Sequence, residues 1–248
     1  MLVEKIEDVD IENGSILLID KPLRWTSFDI VNKLKKYIRT LTDYKKFKIG
    51  HAGTLDPLAS GLLIICVGKA TKRIEELQLQ EKQYLTTFTL GAVTASHDLE
   101  KDPTDFKPYH SVNEQDIKNA TTKFIGNIEQ IPPQYSAIKV DGKRAFDYMR
   151  DNQDITLKSR KIQIKRFELI KYCPPHADFV IDCSKGTYIR SLARDMGDIL
   201  GCGAYISALR RTAIGNFKVE NALQTNLFEN SEKNIEKKHK LRDFERII

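Results

Sequence analysis

The chain has 248 residues, of which 41% are hydrophobic, enough for one large domain with a real core. Its 40 Lys and Arg against 34 Asp and Glu leave a formal charge of +6, which favours a polyanionic partner. The longest strictly apolar run, Leu62–Val67, excludes a membrane-spanning helix; with no charged-then-apolar leader and four cysteines lacking C-x-x-C spacing, a soluble cytoplasmic protein with free thiols is expected.

In chain order, Asn13-Gly14 makes a turn and "SILLIDKP" a short buried strand ended by Pro22. Thr26 or Ser27 offers an N-cap to a helix whose Ile30, Val31, Leu34, Ile38 and Leu41 recur at helical spacing. The other side of that helix and its exit are basic, with seven Lys or Arg against one Asp between Lys33 and Lys48. "LLIICVGKATK" reads as a strand running into a turn. "KQYLTTFTLG" alternates as a half-buried strand with Tyr84, Thr86, Phe88 and Leu90 on one face. Residues 94–112 read as a loop, and Val112–Phe124 as a helix capped by Asn113. "IPPQYSAIKVDGKRAFDYMR" predicts a strand, an Asp-Gly turn and a short helix. Residues 158–171 are basic again, and "DFVIDCSKG" is a strand. Tyr188–Leu200 is predicted to be a helix with Ile189, Leu192, Ala193, Met196 and Ile199 inward and Gly201 at its C-terminal cap. From about Asn230 the chain is charge-dense and reads as a frayed end or surface helix. The irregular interleaving of strands and helices favours an α+β fold over α/β.

Several familiar motifs fail. In "GLLIICVGKAT" six residues separate Gly61 from Gly68, where a phosphate-binding loop needs four, and Ala70 stands where Ser or Thr is required. "GCGAYI" lacks the third glycine of a dinucleotide fingerprint. Neither H-E-x-x-H nor a paired Cys/His cluster occurs, so no metal is expected.

One stretch, "KIGHAGTLDPLASGLL", sets the lone carboxylate of Asp56 between Leu55 and Pro57, bracketed by Gly50, Gly53 and Gly61. Read in isolation, such an aspartate caps a helix or closes a turn more often than it does chemistry. The surrounding set is more specific. Together with "GSILLIDKPLRWTSFDIV", "KQYLTTFTLG", "IPPQYSAIKVDGKRAFDYMR", "CSKGTYIRSLARDMGDILG" and "GAYISALRRTAIGNF", it resembles the TruB-type tRNA pseudouridine synthases, which isomerise uridine 55 in the T-loop of transfer RNA.

The resemblance implies a pseudouridine synthase fold: a mixed, mainly antiparallel sheet flanked by helices, with an RNA-binding cleft and an inserted thumb at about 132–155. It implies a catalytic domain over 1–229 and a charged tail over 230–248, with no C-terminal PUA domain. It places the catalytic aspartate at Asp56, a tyrosine that stacks on the target base at Tyr84 and an arginine that pairs with the aspartate at Arg190. Tyr188 falls where a second tyrosine lines the pocket, and His51 where a histidine helps hold the T-loop with its bases flipped out. Lys21 falls where a lysine supports the catalytic loop, and Leu209 where an apolar residue packs at the pocket. The implied partner is the T-arm of tRNA, bound by a monomer with no obligatory protein partner, no membrane and no cofactor.

These residue types suit that chemistry. Moving the C1′ bond from N1 to C5 of uracil oxidises nothing, and the uracil anion is a delocalised leaving group. One carboxylate can then do what glycoside hydrolysis divides between two, provided water is kept from the sugar. A buried aspartate stays ionised beside a guanidinium, and Arg190 is the candidate. It lies off the inward stripe of its helix, while Arg194 is spaced for Asp198 at i, i+4. A base lifted from its stack needs a new surface, which an aromatic ring supplies at about 1–3 kcal/mol. The basic stretches 33–48 and 158–171 would meet phosphates. Two other readings compete: an RNA-binding protein that helps tRNA fold, and a basic structural protein.

Overall fold

The computed structural model describes residues 1–151, 153 and 155–229; the expected charged tail from residue 230 lies outside the described residues. The chain forms two compact units, Met1–Leu79 with the segment from Arg211 onward, and Gln80–Arg210.

The first unit opens with β1 (Ser15–Lys21), α1 (Ser27–Leu41), β2 (Ile49–His51), β3 (Ala59–Val67) and α2 (Ile74–Leu79). The second carries β4 (Lys82–Leu90), α3 (Glu114–Thr122), β5 (Gly126–Gln130), β6 (Lys139–Val140), β7 (Lys143–Arg144) and α4 (Ala145–Arg150). It continues through β8 (Arg160–Cys173), β9 (His176–Cys183), α5 (Ile189–Leu200) and the start of β10 (Ala204–Ile214). That last strand returns the chain to the first unit at Arg211, where β11 (Phe217–Lys218), β12 (Leu223–Gln224) and α6 (Asn226–Glu229) follow.

In the first unit β3 pairs antiparallel with β1 and β2, and β1 pairs parallel with β12. The unbroken apolar run in β3 is explained by burial on both faces. Leu63, Ile65 and Val67 pack with Leu17 and Ile19 of β1 and with Ile30, Leu34 and Ile38 of α1. Leu62, Ile64 and Cys66 point the other way, to Ile16, Leu18, Leu77 and Val219. Each such fully buried side chain contributes about 1.5–3 kcal/mol. Thr26 is the N-cap of α1 and forms a capping box with Asp29, which leaves Ser27 for another use. Leu41, expected inward, is 42% exposed at the last residue of α1, one turn beyond the buried Ile38.

In the second unit β4, β9, β8 and β5 pair antiparallel in that order. Within the two units the strand pairs are mainly antiparallel, with β1 and β12 parallel, as the α+β reading requires. Phe88, Phe167 and Phe179 interlock at centroid separations of 4.8–5.9 Å, and Phe124 joins them at 5.4 Å from Phe167. The alternation predicted for β4 holds: Tyr84, Thr86, Phe88 and Leu90 are all buried. Asn113 caps α3 as predicted, and Gly201 ends α5 in the left-handed region at φ 74°. The strand, Asp-Gly turn and short helix expected after Pro132 appear as β6, β7 and α4. Ile199, expected inward on α5, is 41% exposed; the buried stripe instead includes Arg190, Ser191 and Gly197.

Candidate active site

The loop carrying Asp56 joins β2 to β3, and its backbone is tied residue by residue. The Ala52 N–H donates to the Ile64 carbonyl at 2.9 Å. The carbonyls of Gly53 and Thr54 each accept from the Arg211 guanidinium at 3.2 Å. Ser27 Oγ accepts from the Leu55 N–H at 2.9 Å and donates to the Leu55 carbonyl at 3.1 Å. The Asp56 carbonyl accepts from the Ala59 N–H at 3.0 Å, and that of Pro57 from the Arg24 N–H at 2.7 Å. Gly53 takes φ +104°, a conformation costly for any residue with a Cβ. Asp56 itself is half-buried on this frame.

Two cations are withdrawn from solvent in this unit. Lys21, at 0% exposure, donates from Nζ to the carbonyls of Pro22 at 2.9 Å and Trp25 at 2.6 Å. Burial pushes its pKa down to about 8, against the opposing pull of the Asp56 carboxylate. Arg211, at 1% exposure, donates additionally from Nε to the Leu62 carbonyl at 2.8 Å. His51, at the end of β2, is half-buried, and its buried Nδ1 makes no hydrogen bond among the described residues. Burial and the Arg211 charge lower its pKa below the ordinary histidine value, with the Gly53 backbone opposing, which favours the neutral ring.

The second unit holds the other predicted residues. Tyr84 lies in β4 opposite Ile181 and is 8% exposed. Arg190 stands in the first turn of α5 and, against the expectation that it lies off the inward stripe, is buried. Its Nε meets the Asp98 carboxylate at 3.6 Å, and its Nη1 donates to the Ser96 carbonyl at 3.2 Å. Ser96 Oγ and the Glu100 N–H in turn donate to Asp98, at 2.6 and 3.0 Å. Arg194 does not reach Asp198 as its spacing suggested; it pairs with Asp195 at 2.7 Å and donates to the Ile131 carbonyl. Tyr188 is half-buried at the N-cap of α5, where Gln130 clamps its backbone by accepting from the N–H at 2.8 Å and donating to the carbonyl at 3.1 Å. The Arg160 guanidinium lies 5.8 Å from the centre of its ring. Leu209 is half-buried in β10.

Asp56, Lys21 and His51 lie in the first unit, and Tyr84, Arg190, Tyr188 and Leu209 in the second. Sequence reasoning missed Arg211, Ser27, Asp98 and Gln130. The one available signal was for Arg211, a charged residue inside "YISALRRTAI", a run whose flanks are apolar. Among the described residues no group of three or more His, Cys, Asp or Glu side chains is placed to hold a metal ion.

Residues 39–189 match the family described as TruB family pseudouridylate synthase (N terminal domain). Residues 190–244 match the tRNA pseudouridylate synthase B C-terminal domain. A curated relative from Flavobacterium johnsoniae, named tRNA pseudouridine synthase B, is 51% identical over 88% of this chain and 96% of its own. Another of the same name, from Phocaeicola vulgatus, is 48% identical over 89% of this chain and 94% of its own. Among solved structures, a chain of a Cbf5-Nop10-Gar1 complex superposes with TM-score 0.67 at 30% identity, over 90% of this chain and 55% of that one. A chain of an H/ACA RNP bound to a substrate RNA containing 2′-deoxyuridine gives TM-score 0.63 at 27% identity, over 87% of this chain and 52% of that one. This chain thus spans about half the length of those two solved chains.

Proposed function

We propose a function from one premise: this chain belongs to the TruB family of pseudouridylate synthases. It is an isomerase that converts a uridine of tRNA to pseudouridine. The finer reading is that the uridine is number 55 of the T-loop, that Asp56 is the catalytic carboxylate, acting as nucleophile or base, and that no cofactor takes part. The observation that carries this reading is the Asp56 loop, in which every residue from Ala52 to Pro57 has a backbone tie and Asp56 is half-buried. Fixed geometry of that kind suits a nucleophile, because a misplacement of about 1 Å can cost 100-fold in rate.

In this reading the C1′–N1 bond breaks with Asp56 acting on the flipped nucleotide, the uracil turns, and C1′ bonds to C5. The C5 proton leaves to solvent and N1 gains one, so atoms and electrons balance without an oxidant or reductant. Tyr84 stacks on the extruded base and Tyr188 lines the pocket. Arg190 pairs with Asp56, and the buried Asp98 holds Arg190 in its turn. His51 helps hold the T-loop with its bases splayed, Lys21 supports the catalytic loop, and Leu209 packs at the pocket. Residues 1–229 form the catalytic domain, with 132–155 as a thumb. The protein works as a cytoplasmic monomer on the tRNA T-arm.

The test is an unmodified T-arm hairpin carrying tritium at uridine C5, offered to wild type and Asp56→Asn side by side. Forming the C5 bond expels the label, so release by wild type and none by the variant, with RNA binding nearly unchanged, is expected. Tight binding by both without release would favour an RNA-folding role.

A further inference from the structure

Arg211 is the largest fully buried side chain in the described protein, and nothing in the proposed chemistry needs a cation there. Burying a guanidinium is costly, and an apolar side chain could fill the same volume. Its hydrogen bonds suggest what it is for. Nη1 and Nη2 donate to Thr54 and Gly53, just upstream of Asp56, and Nε donates to Leu62, downstream in β3. One planar group thus joins both arms of the loop that presents the carboxylate.

The backbone is shaped to admit it. At Gly61, φ +104°, an added Cβ would lie 2.2 Å from the Arg211 carbonyl oxygen and 2.8 Å from its nitrogen. At Gly53, also φ +104°, the Cβ position faces Arg211 Nη1 at 3.8 Å. Gly61 lets the arginine strand approach β3, while Gly53 supplies the left-handed turn that leaves ordinary contact distance for the guanidinium. The charge is met by carbonyl dipoles and is still felt nearby: it contributes to the lowered pKa values of His51 and Lys21.

We infer that Arg211 is the positioning residue of the Asp56 loop: its guanidinium, fastened at once to Gly53, Thr54 and Leu62, sets where the Asp56 carboxylate stands. The inference rests on the reading of Asp56 as the reacting group. Arg211 acts through the backbone of Gly53, Thr54 and Leu62, to which its guanidinium is bonded. Lysine is a poor substitute, because a compact ammonium does not reproduce three donors in one rigid plane.

The experiment measures tritium release in single turnover at saturating enzyme, with RNA affinity measured separately, for wild type, Arg211→Met and Arg211→Lys. Each variant is first checked for a cooperative melt and a wild-type circular dichroism spectrum. We expect the Met variant to lose about 100-fold in rate, the scale of a misplaced reacting group. The Lys variant should lose less, and both should keep hairpin affinity within about threefold, the pattern of an interaction made at the chemical step alone. A folded Lys variant within about threefold of the wild-type rate would overturn the inference, as would a rate loss matched by an equal loss of affinity. Should the Met variant not fold, the Lys variant decides by the same criteria. A wild type that releases no tritium overturns the function itself, a result distinct from an active wild type with active variants.

Discussion

Lys21 ties the chemistry of a single side chain to a pH that can be measured. Its pKa of about 8 means that the ammonium beside the Asp56 loop loses its proton at mildly alkaline pH. The turnover rate should therefore decline with a midpoint near 8, and Lys21→Arg should carry the plateau higher, since arginine keeps its proton beyond about 12. A rate that stays level through that midpoint would remove Lys21 from the working site. Stability runs the other way. Between about 8 and the ordinary 10.5 the unfolded chain holds the extra proton, so this group favours the folded state increasingly as pH rises. At Asp98, replacement by Asn withdraws a carboxylate from a buried guanidinium and should cost on the order of 3 kcal/mol in urea unfolding; an unchanged midpoint would mean that the pair contributes nothing.

At the scale of elements, the backbone strain carried by non-glycine residues falls in the connections: Arg24, His97, Asp105 and Asp141 all take positive φ. His97 sits at φ +61° in the loop after β4. Burial, then the charges of Arg194 and Arg190, push its pKa down to about 4. Its contribution to stability is complete above the ordinary 6.5 and is lost as pH falls toward 4, because the unfolded chain takes up the proton first. His97→Asn keeps a residue that tolerates the left-handed region and removes the titration. Its melting temperature should fall less steeply over that interval than the wild type's, and parallel curves would reject the assignment. In β3, Gly61→Ala drives a Cβ into the Arg211 backbone and strains φ as well. A loss of at least 1–3 kcal/mol is expected, roughly the range for forced left-handed residues, together with reduced turnover.

For the whole molecule, the prediction concerns salt. On α1, half-buried Lys35 and exposed Arg39 stand one turn apart within the basic stretch that leads to Lys48. If such residues meet RNA phosphates, affinity falls linearly on a log–log plot against salt, by about 0.7 per contact for single strands. Replacing Lys35 and Arg39 by Gln should lower that slope by roughly 1–2 without favouring one RNA sequence over another. An identical slope would move the RNA away from this helix.

Much of this was readable from the linear chain, because it depends on neighbours a few residues apart. The caps at Asn113 and Gly201, the alternation of β4 and the helical stripe of α1 follow from local periodicity. The Asp56 motif was legible only as a set of six ordered stretches, since one aspartate in a glycine-rich loop has too many ordinary uses. β8 drew no strand assignment: its exposed side is basic, and register shifts after Ile164 and Leu169 break the period of two. What the sequence determined by itself, then, is which segments become helix or strand and which family the chain resembles. Tertiary structure alone decided that Arg190 turns inward to Asp98, that Arg194 takes Asp195, and that Arg211 braces a loop distant in sequence. Periodicity states which side of an element a residue faces, but what covers that side comes from elsewhere: 149 positions separate Arg211 from Leu62.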